Sequence, residues 1–278
     1  MSTKTDFEKV RDVQPLVHII TNYVTINDVA NITLSVGASP AMVESREEVS
    51  EFVSLASALY VNIGTLNHYQ KASIYTSMRK ATELGKPIVL DPVGCAAITS
   101  RQALIFDLLD RFKVTCLRGN IAEIKTLAGK EAMGKGVDSL DSGEFAREAA
   151  EALSQRFNTL VAATGKEDYI VDGQQGYVIS NGSPLFGQMT GAGCMLGAVV
   201  GAFLGSLIPV DKPHKGTEKT RLEAVKSACS VFGVVGELAE ESIAQKTDTG
   251  SFKVKVLDQA RGLSGKVAEE KEEVNKIG

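Results

Sequence analysis

The sequence has no surplus of positive charge: 30 lysines and arginines face 34 acidic residues, for a formal net charge of -4. The two signs are interleaved, without the basic footprint that phosphate backbones or anionic membranes require, so no nucleic-acid partner is expected. Long hydrophobic runs are lacking as well. The longest, Met195 to Pro209, is too short for a comfortable bilayer span. Its Gly197, Gly201 and Gly205 suit a helix packed closely inside protein. The N-terminal stretch MSTKTDFEKVRDVQPL has no apolar core followed by a small-residue cleavage site, so the expectation is a cytoplasmic protein with no membrane partner. The four cysteines, Cys95, Cys116, Cys194 and Cys229, form no C-x-x-C pair and have no histidine at ligand spacing. That pattern argues against a zinc site and leaves four reduced thiols as the expectation. A dinucleotide fingerprint is also missing, because no G-x-G-x-x-G directly follows a strand-like run.

What is present is a chain of 278 residues, 44% hydrophobic, enough to bury a substantial core and expected to form one domain over residues 1–278. Short aliphatic or β-branched runs alternate with longer helical patterns. Strands are predicted at Leu16 to Ile20, Ala58 to Gly64, Pro87 to Pro92, Val114 to Gly119 and Thr159 to Gly165. Helices are predicted at Asn27 to Val36, Asn67 to Leu84, Arg101 to Arg111, Ser142 to Phe157, Cys194 to Leu207 and Leu222 to Gln245. This alternation reads as an α/β fold, a central and mostly parallel sheet covered by helices on both faces. DYIVDGQQGYVIS, with Asp172-Gly173 at its middle, adds a small hairpin. The polar stretch Asp211 to Thr220 is expected to be a loop between helices. The charged end, about residues 266–278, is expected to be a solvated helix or a frayed tail.

In a parallel sheet the ligand crevice lies beyond the carboxyl ends of the strands. The residues found there are Thr21 and Asn22, Asn62 and Thr65, Asp91, then Arg118, Gly119 and Asn120, and finally Thr164, Gly165 and Asp168. Asn120 with Glu123 three residues on also fits a helix N-cap with its capping-box partner, and Asp91 before Pro92 also fits a turn. Arg118 at a strand end needs a carboxylate, a phosphate or open water. Together these groups suit phosphate and magnesium chemistry. GKEAMGKG, Gly129 to Gly136, nearly spells a phosphate-binding loop. Its last position, however, is a glycine with no hydroxyl, and it follows a helical pattern rather than a strand.

The stretch GQMTGAGCMLGAVVGAFLG, Gly187 to Gly205, places Thr190, Gly191, Ala192 and Gly193 before a helix. First-turn N-H groups lack partners within a helix, and small residues let an anion approach them. Positive potential at the helix start is expected to lower the pKa of Cys194. The thiol is then either an ionisable group beside an anion hole or a small apolar side chain that packs.

Seven ordered motifs resemble the hydroxyethylthiazole kinase family of the ribokinase-like superfamily: HIITNYVTINDVAN (His18 to Asn31), GASPAM (Gly37 to Met42), NIGTL (Asn62 to Leu66), LDPVG (Leu90 to Gly94), RGNIAEI (Arg118 to Ile124), TGKEDYIVDG (Thr164 to Gly173) and TGAGCMLGAVVGAF (Thr190 to Phe203). The resemblance runs from about Leu16 to about Asp258. It implies a three-layer ribokinase-like fold and ATP-dependent phosphorylation of the primary hydroxyl of 4-methyl-5-(2-hydroxyethyl)thiazole. By carry-over, Gly191, Ala192, Gly193 and Cys194 line the transfer site, with the cysteine where the superfamily typically has aspartate. Arg118, Thr164, Asn120 and Gly165 fall to the nucleotide, Asn22, Met42 and Gly191 to the thiazole, and Asp91 and Glu123 to Mg²⁺. The family resemblance further implies a homotrimer with substrate sites near subunit boundaries. A related pyrimidine alcohol kinase, a non-catalytic thiazole- or nucleotide-binding regulator and the ATP-dependent repair of hydrated nicotinamide cofactors are the alternatives.

Overall fold

The structure is a computed structural model that describes residues 2–132, 143–208 and 218–278. The strands are β1 (Leu16–Ile20), β2 (Ser39–Ala41), β3 (Ala58–Asn62), β4 (Ile88–Asp91), β5 (Cys116–Asn120), β6 (Leu160–Thr164), β7 (Asp168–Asp172), β8 (Gln175–Ile179) and β9 (Val274–Ile277). The helices are α1 (Thr3–Val13), α2 (Ile26–Val36), α3 (Val49–Leu55), α4 (His68–Glu83), α5 (Thr99–Arg111), α6 (Ile121–Ala132), α7 (Gly143–Phe157), α8 (Ala192–Ser206), α9 (Glu218–Glu241), α10 (Thr249–Gly262) and α11 (Gly265–Lys271). Every predicted strand and helix overlaps one of these elements.

All nine strands join one sheet in the order β2-β1-β3-β4-β5-β6-β7-β8-β9. Pairing is parallel from β2 through β6 and antiparallel from β6 to β9. Side chains alternate across the pleat, and the core divides accordingly. Val17, Ile19, Tyr60, Val89 and Cys116 face one apolar cluster with α1, α2, α8, α9 and α10. Ile20, Leu59, Val61, Leu90 and Leu117 face the other, with α3, α4, α5, α6 and α7. Helices on both faces of a mainly parallel sheet make three layers. Because β2 and β3 flank β1 on opposite sides, the strand order reverses at β1 and opens a crevice at its carboxyl end.

Helix α8 is apolar all round and sits deep, since its residues from Cys194 to Ser206 are all buried. Its glycines at every fourth position face the sheet. A Cβ on Gly193 would stand 2.6 Å from an Arg118 guanidinium nitrogen, and one on Gly197 would stand 2.5 Å from the Tyr60 ring. Nothing larger than glycine fits there without displacing a buried neighbour. The expected close packing of this run is present.

The hairpin between β7 and β8 turns at Gly173, whose φ of +63° is the left-handed conformation that glycine adopts without strain. The C-terminal charged run differs from its expectation. It is neither wholly solvated nor frayed, because α11 is capped by the Ser264 side chain and β9 pairs with β8 from Ile179↔Val274 to Gly176↔Ile277. Asn181 holds the entry to that strand, donating to the Lys271 carbonyl at 2.9 Å and accepting from the Glu273 N-H at 2.6 Å. The edge of β8 offered backbone groups that needed partners, a demand that a count of charges does not reveal. Of the expected loop Asp211 to Thr220, residues 211–217 lie outside the described residues, and 218–220 begin α9. In the phosphate-loop lookalike, 133–136 also lie outside them.

Candidate active site

Strand register gathers the polar strand ends on one side of the sheet. Asn62 of β3 lies directly beside Asp91 of β4. The β4-β5 pairing Leu90↔Leu117 puts Arg118 next in line, and β6 ends on Thr164. Tyr60, two residues before Asn62, shares its face.

These residues form one hydrogen-bonded chain. Thr164 Oγ1 accepts from Arg118 at 2.7 Å, and Arg118 pairs with Asp91 Oδ2 at 3.3 Å. The same oxygen accepts from the Tyr60 hydroxyl at 3.0 Å and from Asn62 Nδ2 at 3.3 Å. Asn62 Nδ2 also donates to Cys194 Sγ at 3.2 Å, and Asn22 Nδ2 donates to the same sulfur at 3.4 Å. Five predicted site residues, Asn22, Asp91, Arg118, Thr164 and Cys194, are thus brought together. Met42 stands apart from the polar chain. It packs against the apolar cluster that contains Cys194, in a loop fixed by His18 Nε2 donating to the Val43 carbonyl at 2.8 Å.

Asn120 and Glu123 realise the capping box: the Asn120 side chain accepts from the Glu123 N-H at 2.9 Å, and Glu123 Oε2 accepts from the Asn120 N-H at 2.9 Å. Glu123 Oε1 accepts from the Gly94 N-H at 2.8 Å, so the carboxylate spans the ends of β4 and β5. Gly165 donates its N-H to Asp168 Oδ1 at 3.0 Å, which ties the turn after β6. Gly191 begins α8 at φ +93° with no side chain capping the first turn. The N-H groups after it are therefore not covered by a cap.

Charge and burial compete within this cluster. Asp91 is fully buried, and loss of water raises its pKa to about 6 although Arg118 beside it pulls the other way. Burial pulls the Arg118 guanidinium down, but the charges of Asp91, Tyr60, Glu123 and Cys194 together outweigh it and hold the group above its ordinary pKa. Asp168 is also pushed up to about 6 by burial. For Cys194 the expected lowering is reversed: burial first, then the charge of Asp91, raise the thiol, and the hydrogen bonds from Thr25, Asn22 and Asn62 only partly offset them. The helix start supplies a favourable potential, but the thiol is only 8% exposed and has given up its water.

Tyr60 is the group that reading strand ends misses. Its hydroxyl lies inside the strand rather than after it, and the period of two from Asn62 was the available signal.

Residues 7–266 match the family model described as hydroxyethylthiazole kinase. A hydroxyethylthiazole kinase from Natranaerobius thermophilus is 52% identical over 273 residues, 98% of this chain and 96% of that protein. The solved structure of a hydroxyethylthiazole kinase protein from Pyrococcus horikoshii superposes with a TM-score of 0.86 at 37% identity, covering 99% of both chains. A ribokinase-like superfamily protein from Enterococcus faecalis, 11% identical with a TM-score of 0.56 over 92% of this chain and 95% of that one, shares the fold. Since the similarity takes in the sheet, the glycine turn and every strand end that feeds the polar chain, this protein belongs to the hydroxyethylthiazole kinase family.

Proposed function

We propose that the chain transfers the terminal phosphoryl group of ATP to the primary hydroxyl of 4-methyl-5-(2-hydroxyethyl)thiazole, giving the thiazole phosphate used for thiamin phosphate. The observation that carries this reading is the junction at Cys194. A thiol at an uncapped helix start is linked through Asn62 to the buried Asp91-Arg118 pair. One end of that chain suits an alcohol, and the other suits phosphates.

On this reading Asn22, Met42 and Gly191 receive the thiazole. The N-H groups of Gly191, Ala192 and Gly193 stabilise charge on the oxygens in transfer. Arg118, Thr164, Asn120 and Gly165 hold the nucleotide phosphates, with Arg118 already oriented by Asp91 and Thr164. The raised pKa keeps Cys194 protonated at neutral pH. The thiol therefore orients the acceptor hydroxyl through its S-H instead of removing the proton beforehand. The hydroxyl oxygen forms the new P-O bond, the bond to ADP breaks, and the proton leaves late, as a loose transition state permits.

The donor set fits magnesium. Asp91 Oδ1 is buried without a hydrogen-bond partner, and no group of three or more His, Cys, Asp or Glu gathers among the described residues. Such a site offers one or two carboxylates and leaves the remaining positions to water and phosphate oxygens, the usual arrangement for this ion. Asp91 and Glu123 would hold it, directly or through water. When bound it neutralises charge on the phosphoryl oxygens. Asp91→Asn is expected to raise the magnesium concentration for half-maximal rate by roughly tenfold or more, and an unchanged magnesium titration would refute the assignment.

The same reading makes the protein a cytoplasmic homotrimer with sites near subunit boundaries. Tyr23 and Val24, next to Asn22, are 75% and 58% exposed, and Tyr69 at the start of α4 is 84% exposed. Apolar groups of this size at the rim of the crevice suit a subunit contact. No helix among the described residues is long and apolar enough to cross a membrane.

The deciding experiment is an ADP-release assay with the thiazole alcohol, with the pyrimidine alcohol 4-amino-5-hydroxymethyl-2-methylpyrimidine, and with no acceptor. Release with the thiazole alcohol alone is expected. Release only with the pyrimidine overturns the substrate, and equal release in all three arms overturns the kinase reading.

A further inference from the structure

Asn62 is completely buried, and each of its amide atoms has a fixed duty. Its Oδ1 accepts from the Gly64 N-H at 2.9 Å and from Asn22 Nδ2 at 3.0 Å. Both of those groups are donors, so the oxygen must face them, and Nδ2 must face the other way. There it meets only groups able to accept: Cys194 Sγ at 3.2 Å, the Tyr60 hydroxyl at 3.1 Å and Asp91 Oδ2 at 3.3 Å. Asn22 is locked by the same logic, because its Oδ1 accepts from the Thr25 N-H at 3.1 Å and turns its Nδ2 to Asn62 and Cys194. Backbone N-H groups thus set both amide orientations, and both amides present donors to one sulfur.

We propose that Asn62 is a positioning residue for phosphoryl transfer, holding the Cys194 sulfur as a hydrogen-bond acceptor and fixing its distance from the Asp91-Arg118 pair. The inference rests on the reading above, in which Cys194 meets the acceptor hydroxyl. Two N-H donors take both lone pairs of the protonated sulfur, so its S-H is left to meet the substrate hydroxyl. The second N-H of Asn62, shared between Tyr60 and Asp91, joins the acceptor end to the phosphate end. Without it, Asn22 is the one amide left on the sulfur beside the Thr25 hydroxyl, and Cys194 gains rotamer freedom that the reaction must then restrict. Asn62 lies behind the sulfur and the carboxylate, so its removal should change the rate of transfer more than the binding of either substrate.

The test is a double-mutant cycle on the full chain with Asn62→Leu, which keeps the branched shape and removes the amide, and Cys194→Ala. Circular dichroism and thiazole binding by calorimetry verify that each variant is folded. Asn62→Leu is expected to lower kcat about tenfold and to leave KM for ATP and for thiazole within about twofold. In the Cys194→Ala background the same change should cost less than about twofold. Equal fold-losses in both backgrounds, or full kcat in folded Asn62→Leu, overturn the positioning role and leave that of Cys194 intact. Wild-type turnover in Cys194→Ala overturns both. Asn62→Ala, which also removes the amide, repeats the cycle if the leucine variant does not fold, and the same outcomes decide.

Discussion

Replacing Cys194 by alanine is expected to lower kcat about a hundredfold and to leave thiazole binding nearly unchanged. The sulfur is a small part of the contact surface but sits where Asn22 and Asn62 converge. Loss of a ground-state contact would raise KM, whereas loss of orientation appears in kcat. Cys194→Asp should keep substantial turnover, because a carboxylate accepts the same N-H donors and adds a base, although it must tolerate the charge of Asp91. Steady-state kinetics with a thiazole titration measure both variants. Full turnover in Cys194→Ala would sink the orienting role.

Arg118→Met carries the largest expected loss of stability. Asp91 is fully buried and Arg118 is 6% exposed, so the substitution leaves a carboxylate in the interior without its counter-charge. Breaking such a pair costs about 3–5 kcal/mol, roughly 10 °C in Tm for a chain of this size. Asp91 can escape part of that cost by binding a proton. Its pKa in the folded protein is already raised to about 6, above its ordinary value, so the native state binds more protons than the unfolded state in the interval between them. Stability from this group therefore falls as pH rises through that interval. Arg118 pulls the pKa down, and its removal extends the interval upward. The deficit of the variant should then be larger at pH 8 than at pH 5, measured by thermal unfolding without magnesium. Equal deficits at the two pH values would contradict a buried ion pair as the source.

Most of the sheet was legible in the chain because β1, β3, β4, β5 and β6 are buried on both faces and read as continuous apolar runs. The elements without a signal are those stabilised mainly from elsewhere. Strand β2 is three residues long and includes Pro40, and α3 has only seven residues, too few to establish a period. Strand β9 hides in a charge-rich run because its half-buried Val274 and Ile277 serve an edge. The site was legible to the same depth. Residues that follow strands could be found from position, but Tyr60, inside β3, required knowing which face meets α8. The ionisation of Cys194 failed to follow from its place at a helix start. The sequence displays that position, whereas the burial and the Asp91 charge that oppose it arise only on folding.

The glycine spacing of α8 has a mechanical consequence. Added Cβ atoms would meet neighbours at 2.6 and 2.5 Å at Gly193 and Gly197, but only at 3.2 Å at both Gly201 and Gly205. The helix thus bears hardest on the sheet at its N-terminal end and more lightly toward its far end, like a wedge driven in point first. The depth of the sulfur is gauged by backbone resting on strand side chains, which no rotamer change within the helix can reset.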